Sequence, residues 1–364
     1  MTSHLLGLGL ATPRYAIPQE QAAQIASRLL PGDEEQRLML RTLYRQTGIR
    51  QRGSVLLSRD PAASDEPHEL FRYDAAARGP STAERMQWYE REAAPLATAA
   101  SRRALSDAAI EPPQVTHLVT VSCSGFSAPG FDVALAQALE LPASVERTHL
   151  GFMGCHGALN ALRVASAITS SNPSAAVLLA AIELCTLHHQ YSWRPDLVVA
   201  NALFADGAAA AAFGGQSFAR RSLARQVCSG SGIVANTQEQ MGWLIRDHGF
   251  EMTLSAQVPL LIERELGPWI EPWLERQGYD VKSIGSWAFH PGGPRILSAC
   301  AAALDLPDDV LEPAQAVLEQ HGNMSSPTIL FVLDELRRQQ APFPWVALAF
   351  GPGLTIEAAL FESE

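Results

Sequence analysis

The chain is poor in the features that mark secreted, metal-binding and nucleic-acid-binding proteins. Its five cysteines, Cys123, Cys155, Cys185, Cys228 and Cys300, are odd in number and widely spaced, with no Cys-x-x-Cys pair. That pattern argues against a disulfide framework or a zinc site and suits reduced thiols in a cytoplasmic protein. His188 and His189 are adjacent, but no supporting ligand pattern surrounds them or the scattered remaining histidines, so no metal centre is expected. Only 18% of the residues are charged and the formal net charge is −11. The broad positive field that nucleic acid or an anionic membrane demands is therefore excluded, although a few clustered arginines could still hold a small phosphate-bearing ligand. The longest apolar runs, 175–184 and 207–213, are too short to span a bilayer. No basic region precedes the short apolar run at the start, so Leu5 to Ala11 reads as a first strand and not as a signal peptide.

What is present fits a compact globular protein. With 364 residues, 47% of them hydrophobic, the chain can bury one large core or two moderate ones. Residues 20–46 read as helix with a break at Pro31-Gly32, and 54–82 as a long surface excursion. A helix is predicted from about Pro95 to Ile110, a strand over His117–Ser122, and helices from about Gly130 to Leu139 and from Cys155 to about Ser170. Ala175–Ile182 reads as a strand covered on both faces. Gly214-Gly215 marks a boundary, and the order then recurs. Ser286–His290 is a strand, Pro294 to about Leu304 and Asp309 to Gln320 are helices, and another helix follows Pro327, capped by Ser325 or Ser326. Two final strands, 345–350 and 354–361, flank the turn Gly351-Pro352-Gly353. This repetition predicts a duplicated α/β architecture, split into 1–220 and 221–364, with the active centre between the halves.

Three residues on glycine-bearing connections carry the chemistry. Cys155, in Gly151-Phe-Met-Gly-Cys-His-Gly157, precedes an apolar helical run, so its sulfur should face a helix N-terminus, which favours the thiolate. The flanking glycines would let another molecule approach closely. His290 ends a strand before Pro291-Gly-Gly293, and Asn323 follows Gly322. Taken singly, each has a bland alternative: a packed thiol, a satisfied turn histidine, a helix-capping asparagine. Together they make sense. An imidazole beside a thiol can form the ion pair that attacks a thioester, and an imidazole N–H with a carboxamide N–H2 can hold a carbonyl oxygen as it becomes anionic.

Gly154-Cys155-His156-Gly157, Phe289-His290-Pro291-Gly292-Gly293, His321-Gly-Asn-Met-Ser-Ser-Pro327 and Phe350-Gly351-Pro352-Gly353 resemble, in order and approximate spacing, the motifs of type III polyketide synthases. The likeness to these chalcone and stilbene synthase-like enzymes runs from about residue 5 to 361, with a bacterial flavour. It implies a thiolase-type fold of five αβαβα layers, usually a homodimer, working on CoA thioesters without a cofactor. The reaction implied is iterative decarboxylative condensation of malonyl-CoA onto an acyl-CoA starter carried on Cys155. His290 and Asn323 would assist loading and hold the malonyl carbonyl, and a pyrone-, resorcinol- or phloroglucinol-type product would follow.

By the same resemblance Phe204 matches a gating phenylalanine between the coenzyme A tunnel and the reaction cavity. Met252 falls where plant members place a second gating phenylalanine, and Cys123 at a cavity-lining position that plant members fill with threonine. His156 follows the nucleophile where plant enzymes often have phenylalanine, and no catalytic role is assigned to it. Arg50 and Arg52, with Arg45 nearby, fall where relatives present basic side chains to the coenzyme A phosphates. Three other readings use the same residues. One is a condensing enzyme like ketoacyl-carrier-protein synthase III, one a Cys-His-Asn thioester hydrolase, and one a non-catalytic partner subunit, which retention of all three residues argues against.

Overall fold

The first apolar run forms strand β1 (Ser3–Ala11), buried along nearly its whole length because both of its faces are covered. The computed structural model describes residues 3–30, 32–57, 70–72 and 78–364. A short strand, β2 (Ala16–Pro18), leads into helices α1 (Gln19–Leu29) and α2 (Glu34–Gln46), separated where the sequence predicts a break. The Asp33 carboxylate caps α2 by accepting from the Gln36 N–H at 2.8 Å. Strand β3 (Gln51–Gly53) pairs antiparallel with β2. Of the excursion predicted over 54–82, residues 58–69 and 73–77 lie outside the described residues.

Helix α3 (Thr82–Asp107) begins well before the predicted start near Pro95, because Ser81 and Glu84 form a capping box and Pro95 sits inside the helix. Pro95 is exposed, so the carbonyl that its missing N–H leaves unpaired can be hydrated. The chain continues through β4 (His117–Ser122), α4 (Phe131–Ala138), β5 (Glu146–Gly151), α5 (Gly157–Ser171), β6 (Ala176–Leu184), α6 (Pro195–Leu203) and β7 (Asp206–Gly214). The second half runs β8 (Ala224–Ile233), the hairpin β9 (Met241–Arg246) and β10 (Gly249–Leu254), α7 (Val258–Glu275) and β11 (Ser286–Phe289). It closes with α8 (Pro294–Ala303), α9 (Glu312–His321), α10 (Thr328–Arg338), β12 (Trp345–Gly351) and β13 (Thr355–Glu362).

The two halves repeat one pairing scheme. β4 runs parallel to β6, which is antiparallel to β7, itself antiparallel to β1. In the same order β11 is parallel to β12, β12 antiparallel to β13, and β13 antiparallel to β8. A short β1–β8 pairing joins them into a nine-stranded mixed sheet in the order β11-β12-β13-β8-β1-β7-β6-β4-β5.

Helices α5 and α10 touch each other and strands of both halves, so they form the middle layer. On the outside, α3 lays the fully buried Ala93, Ala97, Ala100 and Ala104 against the first half. The second half is covered by α7, whose Trp269 and Trp273 lie over Gly232 and Gly230 of β8. This is the five-layered thiolase-type arrangement. Alternation along β6 follows from it: Val177, Leu179 and Ala181 join the central core, while Leu178, Ala180 and Ile182 pack toward α3.

Leu330 of α10 is fully buried in that central layer. Leu330→Ala should cost about 3 kcal/mol through lost transfer energy and a residual cavity, read as a lower denaturation midpoint, whereas Leu38→Ala, on the exposed face of α2, should leave it unchanged.

Candidate active site

Cys155 is presented by a sharp change of direction after β5. Phe152 (φ 57°) and Gly154 (φ 77°) turn the chain into one 3-10 turn, Gly154–His156, that continues into α5. A Cβ on Gly154 would lie 2.3 Å from Cδ of Pro352. Here the glycine accommodates the chain's own Gly-Pro-Gly turn, and not an approaching ligand as the sequence suggests. His156 is structural, its ring placed 2.7 Å from Asn160 Oδ1 and 2.6 Å from Thr355 Oγ1.

The other two residues reach the same place from the second half. His290 directly follows β11, and its backbone N–H donates to the Leu348 carbonyl at 2.8 Å. Its ring is buried, with no hydrogen-bond partner at Nδ1 or Nε2 among the described residues. A buried imidazole left unsatisfied on both nitrogens is available to a ligand. Asn323 is held by its backbone: its N–H donates to Leu203 O at 2.9 Å and its carbonyl accepts from Ala205 N–H at 2.9 Å. Its Oδ1 accepts from the Ser325 N–H at 2.8 Å, which leaves the side-chain NH2 to donate elsewhere. Gly322 (φ 70°) makes this possible, since a Cβ there would be strained and would press on Ala205, Leu203 and Arg52.

Cys155, His290 and Asn323 line one cavity. A second lobe joins Cys155 to Cys123, Cys185, Glu183, Trp243 and Ser325. Phe204 and Met252 line both lobes and also a larger apolar chamber. These two side chains therefore stand where the three spaces meet. Trp243, which donates to the Cys123 carbonyl at 2.8 Å, lines both the Cys155 lobe and the chamber.

Burial outweighs the helix-end effect expected from the sequence. It pushes the Cys155 thiol up to about 11, against the pull of hydrogen bonds from Ser325 and Asn323. It also holds His290 down to about 3, with the neighbouring His156 adding to the effect. Neither charge is stable alone in this cavity. Moving a proton from sulfur to imidazole would create both together, each able to serve as counter-ion of the other.

Several neighbours escaped the sequence reading. Glu183 is fully buried and accepts from the N–H groups of Cys123 and Ser124 and the hydroxyls of Ser124 and Ser326 at 2.6–3.0 Å. Burial raises its pKa while those bonds oppose the rise. It ties the end of β4 to the approach of α10, and its one sequence signal was a lone carboxylate ending an apolar strand. Neither serine expected to cap α10 does so: Ser326 is engaged with Glu183 and Ser325 faces Cys155, leaving the helix without a side-chain cap. Cys123 accepts from the Gly154 N–H at 3.0 Å through its sulfur.

The three arginines separate. Arg45 and Arg50 are exposed, Arg50 donating to the Gln320 side chain at 2.6 Å. Arg52 turns inward instead, buried, with Nη1 donating to the carbonyls of Asn201 and Phe204 at 2.6 and 2.7 Å. A guanidinium satisfied by internal carbonyls is not presented to an incoming phosphate. Among the described residues there is no cluster of three or more metal-ligating side chains, and no helix is long and apolar enough to cross a membrane.

Removing the imidazole should expose the cost of the buried thiolate. His290→Ala deletes the positive partner, which disfavours the charged sulfur. Iodoacetamide labelling of Cys155 near neutral pH should slow about tenfold or more, with the labelling profile moving alkaline. An unchanged profile would assign the activation to the helix end and Ser325.

Comparison with known proteins agrees with this geometry. Residues 2–217 match the family Chalcone and stilbene synthases, N-terminal domain, and residues 225–364 match its C-terminal domain. The alpha-pyrone synthesis polyketide synthase-like Pks18 of Mycobacterium tuberculosis is 31% identical over 363 residues, covering 98% of this chain and 90% of that protein. Type III polyketide synthase 21 of Oryza sativa is 32% identical over 366 residues, covering 98% and 92%. The crystal structure of PKS-I from the brown alga Ectocarpus siliculosus superposes with a TM-score of 0.93 at 27% identity, covering 100% of this chain and 98% of that one. These likenesses favour neither the carrier-protein condensing enzyme nor the cysteine hydrolase. A family match across both halves, around a cavity that gathers Cys155, His290 and Asn323, makes this chain a member of the chalcone and stilbene synthase family, a type III polyketide synthase.

Proposed function

We propose that the protein loads an aliphatic acyl-CoA starter on Cys155, extends it with malonyl-CoA and releases a pyrone-type product, with CoA thioesters as its substrates and no cofactor. The observation that carries this reading is the meeting of Cys155, His290 and Asn323 in one cavity that opens past Phe204 and Met252 toward an apolar chamber. Cys155 attacks the starter thioester, CoA thiolate leaves, and His290 takes the sulfur's proton and returns it to the leaving group. The malonyl thioester carbonyl then accepts from the His290 ring and from the NH2 of Asn323, which also faces Cys155. Carbon dioxide leaves, and the electron pair of the broken bond makes an enolate whose oxygen these two donors stabilise. The enolate carbon attacks the acyl-Cys155 carbonyl, and the Cys155 thiolate departs.

The chamber favours a flexible apolar chain. Its walls include Ile17, Ala22, Ile25, Ala26 and Leu29, and a starter lying there would bury its methylenes at about 0.8 kcal/mol each. The pyrone outcome is carried over from the name of the mycobacterial relative. Arg45 and Arg50 remain the candidates for the coenzyme A phosphates, being exposed near the α2–β3 corner. The two halves are assigned to 1–220, bearing the nucleophile, and 221–364, bearing His290 and Asn323.

A homodimer is proposed through β5. This strand ends the sheet, most of its residues are exposed, and Phe126 and Phe152 beside it are 53% and 38% exposed. An open edge flanked by aromatic rings is suited to pairing with a second copy. The five free thiols suit a reducing, cytoplasmic setting.

The deciding experiment offers acyl-CoA starters of graded chain length with malonyl-CoA and identifies products by mass. Pyrones from aliphatic starters are expected; thioester hydrolysis without carbon–carbon bond formation would overturn the assignment. Cys155→Ala should lose covalent acylation in intact-protein mass spectra while keeping its fold. His290→Gln and Asn323→Ala should each slow carbon dioxide release from malonyl-CoA on the order of 100-fold, as loss of an oxyanion donor does. Ala26→Phe should shorten the longest starter accepted and spare acetyl-CoA.

A further inference from the structure

Arg52 has no place in the chemistry just described, yet it is buried beside it. Its guanidinium lies 5.4 Å from the centre of the Tyr44 ring and its Nη1 bonds two carbonyls, Asn201 in the last turn of α6 and Phe204 just beyond it. A cation at a helix C-terminus meets the negative end of the helix dipole and satisfies carbonyls that have no partner within the helix. The next contacts give this arrangement its meaning. Leu203 and Ala205, on either side of Phe204, are the residues whose backbones hold Asn323 from both sides, at 2.9 Å each. Opposite them, a Cβ on Gly322 would come within 3.3 Å of Arg52 Cβ, so the arginine also packs against the turn that delivers Asn323.

We propose that Arg52 is a positioning residue that sets Asn323 and Phe204 as one unit, clamping the end of α6 on which both depend. The inference rests on the roles assigned above to those two residues. β3, which carries Arg52, is fastened on the other side to α9. The Arg50 N–H donates to Glu319 O at 2.8 Å, and the Arg50 side chain donates to Gln320. The exposed corner bearing Arg45 and Arg50 is thus linked through Arg52 to the carboxamide in the cavity. Cys155 and His290 hang from different elements, the α5 entry and the end of β11, and receive no bond from Arg52 among the hydrogen bonds described.

This separation supplies a test that a merely structural role would not pass. Arg52→Met keeps the length of the side chain and removes its donors. Carbon dioxide release from malonyl-CoA should fall on the order of 100-fold in kcat, the usual cost of a misplaced group, with KM little changed. Covalent loading of Cys155 from acetyl-CoA should fall far less, by about tenfold at most, because the sulfur loses only the Asn323 hydrogen bond and keeps that of Ser325. Selectivity among starters of different size should relax, since Phe204 is released together with Asn323. Arg52→Lys, which keeps the charge and one donor nitrogen, should fall between, and serves if the methionine variant does not fold. In Arg52→Ala, added guanidinium ion should restore part of the decarboxylation; it should restore none in Asn323→Ala. Equal loss of loading and decarboxylation in Arg52→Met and Arg52→Lys, or no guanidinium rescue in a folded Arg52→Ala, would overturn the inference. If Asn323→Ala itself decarboxylates at the parent rate, the assigned role of Asn323 fails instead, and the two failures are told apart.

Discussion

The active centre depends on one packing constraint, the burial of α5 and α10 against each other between the two halves of the sheet. Each helix begins at a glycine-bearing turn, Gly154 before Cys155 and Gly322 before Asn323, and neither start has a side-chain cap. Their entrances are held by tertiary contacts instead. Pro352 presses on Gly154, and the backbone of Leu203–Ala205 grips Asn323. Because both helices sit in the middle layer, the side chains at their starts converge from opposite halves.

Glu183 is the polar counterpart of that packing. A carboxylate with no exposure persists only where donors surround it, since burial of an unpaired charge is costly. Its donors come from Cys123, Ser124 and Ser326, so the same group that demands satisfaction also ties β4, β6 and the approach to α10 together. Cys123, held in this way, in turn accepts from the Gly154 N–H at 3.0 Å, which links the turn before Cys155 to the same network.

The cavity's electrostatics follow from its burial. Burial drives the thiol upward and the imidazole downward, so charge separation is favourable only as a pair or against a polarised substrate. The same burial makes the His290 ring and the Asn323 amide strong donors to a developing oxyanion, because a low local dielectric strengthens such bonds.

Much of this was legible in the chain. β4 was placed residue for residue, α5 and β6 to within a residue or two, and the repeated order of strands and helices anticipated the duplicated pairing of β4-β6-β7-β1 and β11-β12-β13-β8. Periodicity and turn residues encode such elements locally, and Cys155, His290 and Asn323 stood out because each sits on a glycine-bearing junction. The start of α3 was missed because Pro95 reads as a boundary when its exposure cannot be seen, and Ser325 and Ser326 read as caps because a serine's partners are not written in its neighbours. Arg52 and Arg50 are two positions apart in a basic turn, and only the folded chain turns one inward to Phe204 and leaves the other at the surface. The sequence alone determined which elements form and which residue types could react. Tertiary structure decided which of them share a cavity, which are satisfied internally, and which charges survive there, because burial and long-range contact are properties of the packed molecule and not of any stretch of it.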